Sequence, residues 1–302
     1  MKEEIMAPDP FQVEESLEQG RFLVAVEDIE EGQTILTDTA CVVGPFTVSV
    51  PICLECNVSL VGSSDIANPF CPKGCGFQLC ANCKSMSQNN GEENNKERCW
   101  HQLECRTIQK SHEKKSKEEE EANVITSHDP SLCRISYKKP SPVYSWVTTL
   151  RLLLLLKSRT PDDLRLVNLQ DNSNLRQKCD PLSWKLHEKY VIEPLYEMTR
   201  LEREEIRHAL GILLTNTLSI SIEEGQEIMG LFPKYAMLNH SCQHNTVTLT
   251  NIASVVEGGN TQRQFKVEVK AKRKIMKGEE ITTRYLPVNQ GMNYCMNHPL
   301  AR

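Results

Sequence analysis

The sequence has no surplus of positive charge. Its 302 residues carry 35 Lys and Arg against 40 Asp and Glu, for a formal net charge of −5 and a pI near 6.0. That balance excludes a bulk attraction to nucleic acid or to an anionic membrane, and no strong basic stripe suggests a direct DNA reader. Long apolar runs are missing too. The one strongly apolar stretch, Leu152 to Leu156, is far shorter than the roughly 20 residues that span a bilayer. Met1-Lys-Glu-Glu-Ile-Met-Ala-Pro lacks the apolar core of a secretory signal, so the expected location is cytoplasmic and/or nuclear. The length allows one large or two ordinary domains with a real core.

Cysteine is abundant, with 13 in the chain. In a chain read as intracellular, many cysteines suggest metal ligands rather than disulfides. They fall in short pairs: Cys53-x2-Cys56, Cys71-x3-Cys75, Cys80-x2-Cys83 and finally His101-x3-Cys105. Each pair offers two ligands from one tight turn, and seven cysteines with one histidine suit two tetrahedral zinc sites. Cys99 is a spare thiol beside them. So little apolar material lies in this segment that it needs the metal to fold. Ser85 to Glu97, and the block Lys114 to Glu121, read as solvated surface. Residues 126–142, with Pro130, Pro140 and Pro142, read as a linker.

Around this segment the pattern is first β, then helical, then β again. Residues 1–19 are acidic and weakly patterned, a flexible lead-in. Arg21 to Val26 is strand-like. Ile29-x-x-Gly32-Gln33-x-Ile35 and Ile275-x-x-Gly278-Glu279-x-Ile281 repeat one pattern, read as a hairpin-like unit with Gly at the turn. Helical spacing runs from Tyr144 to about Leu218. It includes Trp146, Leu150, Leu153 and Leu154, a helix start at Thr160-Pro161-Asp162-Asp163, and amphipathic stretches from Trp184 to Met198 and Leu201 to Leu214. Val247, Leu249, Phe265, Val267 and Val269 form the expected inner face of a half-buried sheet, with Lys266, Glu268 and Lys270 outside and Glu257–Asn260 as the turn.

Asn239-His240-Ser241-Cys242 packs an amide, an imidazole, a hydroxyl and a thiol together, directly after the apolar Ala236, Met237 and Leu238. Polar groups entering an apolar region need partners, so a tightly specified site is expected; a simple Asx or Ser turn is the plainer reading. Some forty residues later comes Gly278-Glu279-Glu280-Ile281-Thr282-Thr283-Arg284-Tyr285. Together the two stretches resemble the signature motifs of the SET-domain lysine methyltransferases. The cysteine pairs resemble the MYND zinc finger, and Trp100 before the histidine fits it. The whole resembles a SET–MYND protein of the SMYD type, most like the arthropod SmydA group.

That resemblance implies an α+β fold: a small-sheet SET β fold split by a MYND zinc finger and a helical insert. The segments are a flexible N-terminus (1–19), the SET N-terminal portion (20–50), the finger (51–106), a charged, Pro-containing linker (107–143), the helical insert (144–215), the SET core (216–286) and an incomplete post-SET tail (287–302). In the finger, Cys53, Cys56, Cys80 and Cys83 hold one zinc, and Cys71, Cys75, His101 and Cys105 the other. The implied activity is S-adenosylmethionine-dependent protein-lysine methylation of a histone or non-histone substrate in chromatin regulation. Asn239 and His240 line the cofactor pocket, Gly20 and Arg21 close over it, and Tyr285 is catalytic. Asn216 either lines the substrate channel or is a buried structural amide. The implied partners are a protein with a target lysine and, through the finger, Pro-rich peptides of transcriptional co-regulators. A second reading stays open. Phe22 stands where relatives carry the second Gly of Gly-x-Gly, and only Cys295 and His298 follow Tyr285 in place of a Cys-x-Cys-x2-Cys run. On that reading the chain is a catalytically weak or inactive scaffold.

Overall fold

The two Ile-x-x-Gly-x-x-Ile copies form interlocked arches, not the expected hairpins. The strand before the first turn is β2 (Gly20–Ala25) and the strand after it is β3 (Thr34–Thr39); β9 (Asn260–Ala271) and β10 (Glu280–Thr283) flank the second. Neither arch pairs with itself: β2 pairs antiparallel with β10, and β3 with β9. Ile29 and Ile275 exchange both backbone hydrogen bonds, at 2.8 and 2.9 Å. Gly32 N–H donates to Ala271 O and Ala271 N–H to Gln33 O, both 2.9 Å; Gly278 N–H donates to Ala25 O (2.8 Å) and Ala25 N–H to Glu279 O (3.0 Å). Each turn is thus clamped by the other copy in the same way, a local two-fold. Gly32 (φ 79°) and Gly278 (φ 84°) hold left-handed conformations that L side chains adopt only with strain. The four repeat isoleucines are all buried, because they fill the space between the arches.

The computed structural model describes residues 9–17, 20–61, 70–89, 101, 104–109, 142–158, 169–223, 226–257 and 260–285. Cys99, Trp100, the Lys114–Glu121 block, Pro130, Pro140, the Thr160–Asp163 helix start, Cys295 and His298 lie outside them. The chain divides into two compact units, one made of residues up to Cys41 and from Leu231 on, the other Val42–Gly230. Residues 42–50 and 216–230 fall in the second of these units.

In the first unit one sheet has the order β1-β2-β10-β7, with β1 at Phe11–Ser16 and β7 at Asn239–His240. Residues 11–16 are thus a strand, paired from Phe11↔Ala25 to Ser16↔Gly20, and not a flexible lead-in. Its residues are exposed on both faces at the sheet edge, so no period-two pattern marks it. The second sheet is β3-β9-β8, with β8 at Thr246–Glu257. Phe265, Val267 and Val269 are buried as expected, but Val247 and Leu249 are 43% and 42% exposed. The inner face of β8 carries threonines instead. Thr246 Oγ1 donates to Thr282 O at 2.8 Å, and the Thr248 and Thr283 hydroxyls lie 3.2 Å apart. Satisfied hydroxyls next to β10 override the apolar pattern.

The second unit holds the three-stranded sheet of β4 (Val42–Pro45), β6 (Gln226–Leu231) and β5 (Thr217–Glu223), in that order. Its helices are α1 (Ala81–Asn89), α2 (Pro142–Ser158), α3 (Ser173–Cys179), α4 (Pro181–His187), α5 (Glu193–Thr199) and α6 (Arg203–Asn216); a π turn, Glu188–Ile192, joins α4 to α5. Asp180 accepts from Ser183 N–H at the start of α4, with Pro181 at its first position. A Glu202/Glu205 capping box starts α6. On α2, Val147, Leu150, Leu152, Leu153 and Leu155 are buried as helical spacing requires. Among them sits Arg151, fully buried. Its Nε donates to Glu104 Oε1, Nη1 to Val43 O (2.6 Å) and Nη2 to Leu54 O. With Ile52 N–H bonded to Tyr144 Oη (2.9 Å), and the Phe77 ring in tilted contact with those of both His101 and Trp146, this fastens the cysteine-rich segment to α2.

Candidate functional site

The two motifs meet strand to strand. In parallel pairing, β7 places Asn239 beside Thr282 and His240 beside Thr283, and Ser241 N–H donates to Thr283 O at 2.9 Å. Asn239 Nδ2 donates to Glu280 Oε1 (3.0 Å), so a residue of one motif orients a residue of the other. The depth differs from expectation. Leu238 is fully buried, Asn239, His240 and Ser241 are half-buried, and Cys242 is exposed. The motif climbs from the core to a rim.

Tyr285 follows the end of β10 by two residues, after Arg284. Its ring is partly exposed, but its hydroxyl turns inward and donates to Leu238 O. Burial pushes the phenol above its ordinary range, and the nearby Tyr235 and Glu280 push it further. Tyr285 N–H donates to His240 Nδ1 (3.0 Å), and the two rings lie 5.5 Å apart. Burial, then Arg284, lowers the His240 pKa. A neutral ring accepting at Nδ1 carries its proton on Nε2, which faces Cys242 Sγ at 3.4 Å.

The residue that ties this together was missed in the sequence. Asn245 is 2% exposed and clips the first motif to β10. Its Nδ2 donates to Glu280 O (2.8 Å) and Glu279 Oε1 (3.1 Å), and its Oδ1 accepts from Thr282 N–H (2.9 Å). The one signal in the sequence was an amide closing a turn. Glu279 itself is held down to about 2, first by Arg273.

The register Glu280↔Val24, Ile281↔Leu23 is antiparallel, so the C-terminal end of β10 runs toward the start of β2. Gly20, at φ 68°, and Arg21 therefore lie at the same end of the sheet as His240 and Tyr285. Asn216 ends α6 in the second unit, and its Nδ2 donates to Gln170 O and Ile212 O, both 2.8 Å.

The zinc-ligand residues gather into two groups, Cys53/Cys56/Cys80/Cys83 and Cys71/Cys75/His101/Cys105. This is the interleaved order expected from the finger. In each, the ligand atoms lie within 4.8 Å of one another. Cys56 and Cys80 sulfurs are 3.8 Å apart, those of Cys71 and Cys105 4.0 Å, and His101 Nε2 lies 3.1 Å from Cys71 Sγ. Four ligands at about 2.3 Å from a tetrahedral zinc stand about 3.8 Å apart, so the donor set fits. Glu55 Oε2 accepts from His101 N–H at 2.8 Å and fixes the backbone of that ligand. Cys75 and then His101 lower the Cys105 pKa, while the neighbouring thiols and burial raise those of Cys53, Cys71, Cys75 and Cys83, since thiols this close cannot all ionise without a cation to share.

The family model described as SET domain matches residues 20–286. Human and mouse histone-lysine N-methyltransferase SMYD1 are each 31% identical over 84 residues, 27% of this chain and 17% of theirs. SET domain-containing protein SmydA-8, isoform B, of Drosophila melanogaster is 27% identical over 103 residues, 33% of this chain and 20% of its own. The matched part thus spans about a fifth or less of these relatives' length. A crystal structure of the SET domain of LSMT, bound to lysine and AdoHcy, aligns with 93% of this chain and 50% of that one, at 16% identity and a TM-score of 0.33. With the family match running from the Gly20 turn to the residue after Tyr285, the chain belongs to the SET domain family.

Proposed function

We propose that the chain is an S-adenosylmethionine-dependent protein-lysine methyltransferase. The observation that carries this reading is the meeting of Asn239, His240, the Gly20–Arg21 turn and Tyr285 at one end of one sheet. The residues suit the cofactor. Asn239 has its Nδ2 fixed on Glu280, which leaves its side-chain oxygen to accept from a ligand amine. When bound, S-adenosylmethionine supplies a methyl group on a sulfonium. Tyr285, kept protonated by its raised pKa, is a hydrogen-bonding post and not a general base. Its ring and hydroxyl orient the incoming lysine nitrogen, which must be neutral, and desolvation of that amine lowers its pKa. Alignment of amine and methyl supplies most of the acceleration.

A histone or another protein bearing an accessible lysine is the proposed acceptor, in keeping with the names of the SMYD1 relatives. The finger, with two zinc ions, recruits Pro-rich co-regulator peptides, and the reduced thiolate ligands suit the cytosol or nucleus. Phe22, half-buried one residue from Arg21 and opposite Glu14 on β1, favours the second reading, a weakly active or inactive scaffold. Calorimetric titration of zinc-loaded protein with S-adenosylmethionine separates the two. One-to-one binding, with methyl transfer to a protein lysine that Tyr285→Phe abolishes, supports the enzyme. No binding by folded protein carrying both zincs leaves the scaffold.

A further inference from the structure

We infer that Asp38 is a positioning residue for the proposed transfer site: its carboxylate anchors the turn that presents the hydrogen-bond acceptor of Tyr285. The inference rests on the methyltransferase reading. Between β6 and β7 the chain makes one 3-10 turn, Tyr235–Met237. The first amides of any such turn lack partners within it. Here Asp38, on β3 and opposite Val267, supplies them from 196 positions away. Its Oδ2 accepts from Lys234 N–H at 2.7 Å and Tyr235 N–H at 3.2 Å, while its Oδ1 accepts from Thr39 N–H at 2.9 Å. Three charge-assisted donors offset only part of the cost of holding this half-buried carboxylate, whose pKa burial still raises.

The turn leads straight into the site. Leu238 N–H closes the turn on Tyr235 O (3.0 Å), Leu238 O receives the Tyr285 hydroxyl, and the next two residues are Asn239 and His240. Tyr235 and Leu238 are buried, so the turn has little room to shift without moving both. The carboxylate therefore acts on Tyr285 through one turn of backbone. A cap with only a structural role would alter stability and leave the tyrosine's surroundings unchanged.

The test uses the full, zinc-loaded chain with isotope-labelled tyrosine, read by NMR. The Tyr285 signal is the one that Tyr285→Phe removes. Asp38→Ala is expected to move that signal and leave those of Tyr190 and Tyr196 in place. It is also expected to lower kcat for methyl transfer by about ten- to a hundredfold, with a much smaller change in KM, as misplacement of a reacting group does. Asp38→Asn keeps one acceptor oxygen and is expected to lie between parent and Ala in both readouts. A Tyr285 signal at the parent position in the folded Ala variant, or in the Asn variant should Ala not fold, overturns the inference. If the parent neither binds S-adenosylmethionine nor transfers methyl groups, the methyltransferase reading fails. The Tyr285 signal then still decides whether Asp38 positions the tyrosine.

Discussion

Asn245 shows how one buried amide can hold two distant stretches in register. It satisfies both its donor and its acceptor on β10, so truncation takes from Thr282 N–H and Glu280 O the partner that a 2%-exposed side chain gives them. Asn245→Ala is expected to cost about 2–3 kcal/mol, measured by urea unfolding, through loss of the bonds and of their partners' satisfaction. Glu279 gives a second residue-scale test. Arg273 and Asn245 lower its pKa to about 2, from an ordinary 4.5. A depressed carboxylate contributes stability that is fully present above the unfolded pKa and lost as pH falls through the folded one. Acid unfolding between about pH 4.5 and 2 is therefore expected to be shallower in Glu279→Gln than in the parent, read by the pH dependence of the melting temperature. At this scale the sequence was legible where residue types recur in short, recognisable spacings. Asn239, His240, Tyr285 and the eight zinc-ligand residues announce themselves by type and spacing. Asn245, Asp38 and Arg151 do not, because what makes each one matter is a partner far along the chain.

Elements were legible where burial imposes a single period. The apolar spacing of α2 and α6, and the inward Phe265, Val267 and Val269 of β9, result from one face meeting one core. The pattern fails on β1, which buries neither face, and on β8, where threonines meet the polar backbone of β10 and the aliphatics turn out. Leu249→Lys is accordingly expected to change stability by no more than about 0.5 kcal/mol, while Ile281→Ala is expected to cost about 2–5 kcal/mol. Equal costs would place Leu249 in a core after all. The arches make a sharper case. Their glycines mark turns without saying of which kind, since local sequence cannot tell a strand that folds back on its neighbour from one that crosses to a second copy. Both glycines have open space where a Cβ would go, so strain alone sets the penalty. Gly32→Ala and Gly278→Ala are each expected to lose about 1–2 kcal/mol, and the similar size reflects the two-fold.

The whole molecule is one unit interrupted by another. Cys41 N–H bonds Leu231 O at 2.9 Å, closing the first unit across 190 positions of chain. A folded insertion delivers its two ends to that point. An unfolded one charges the closure to the first unit, on the order of 5 kcal/mol for a loop of this length, which rivals the whole stability of a typical domain. Zinc decides which case holds, because Arg151 binds α2 to the carbonyl of Leu54 and to Glu104, next to the ligand Cys105. Once the metal leaves, Arg151 and Glu104 face burial without a fixed frame, and breaking such a pair costs about 3–5 kcal/mol. All three tryptophans, Trp100, Trp146 and Trp184, fall in sequence between Val42 and Gly230, so their emission reports that stretch of chain alone. Chelation is expected to red-shift the emission and reduce the helical circular dichroism. It is also expected to weaken S-adenosylmethionine binding at the first unit, measured by calorimetry, and added zinc restores all three. Unchanged cofactor binding after the tryptophan signal has collapsed would mean that the first unit bears the closure of its 190-position loop by itself, and that the zinc finger is no part of what keeps the site in shape.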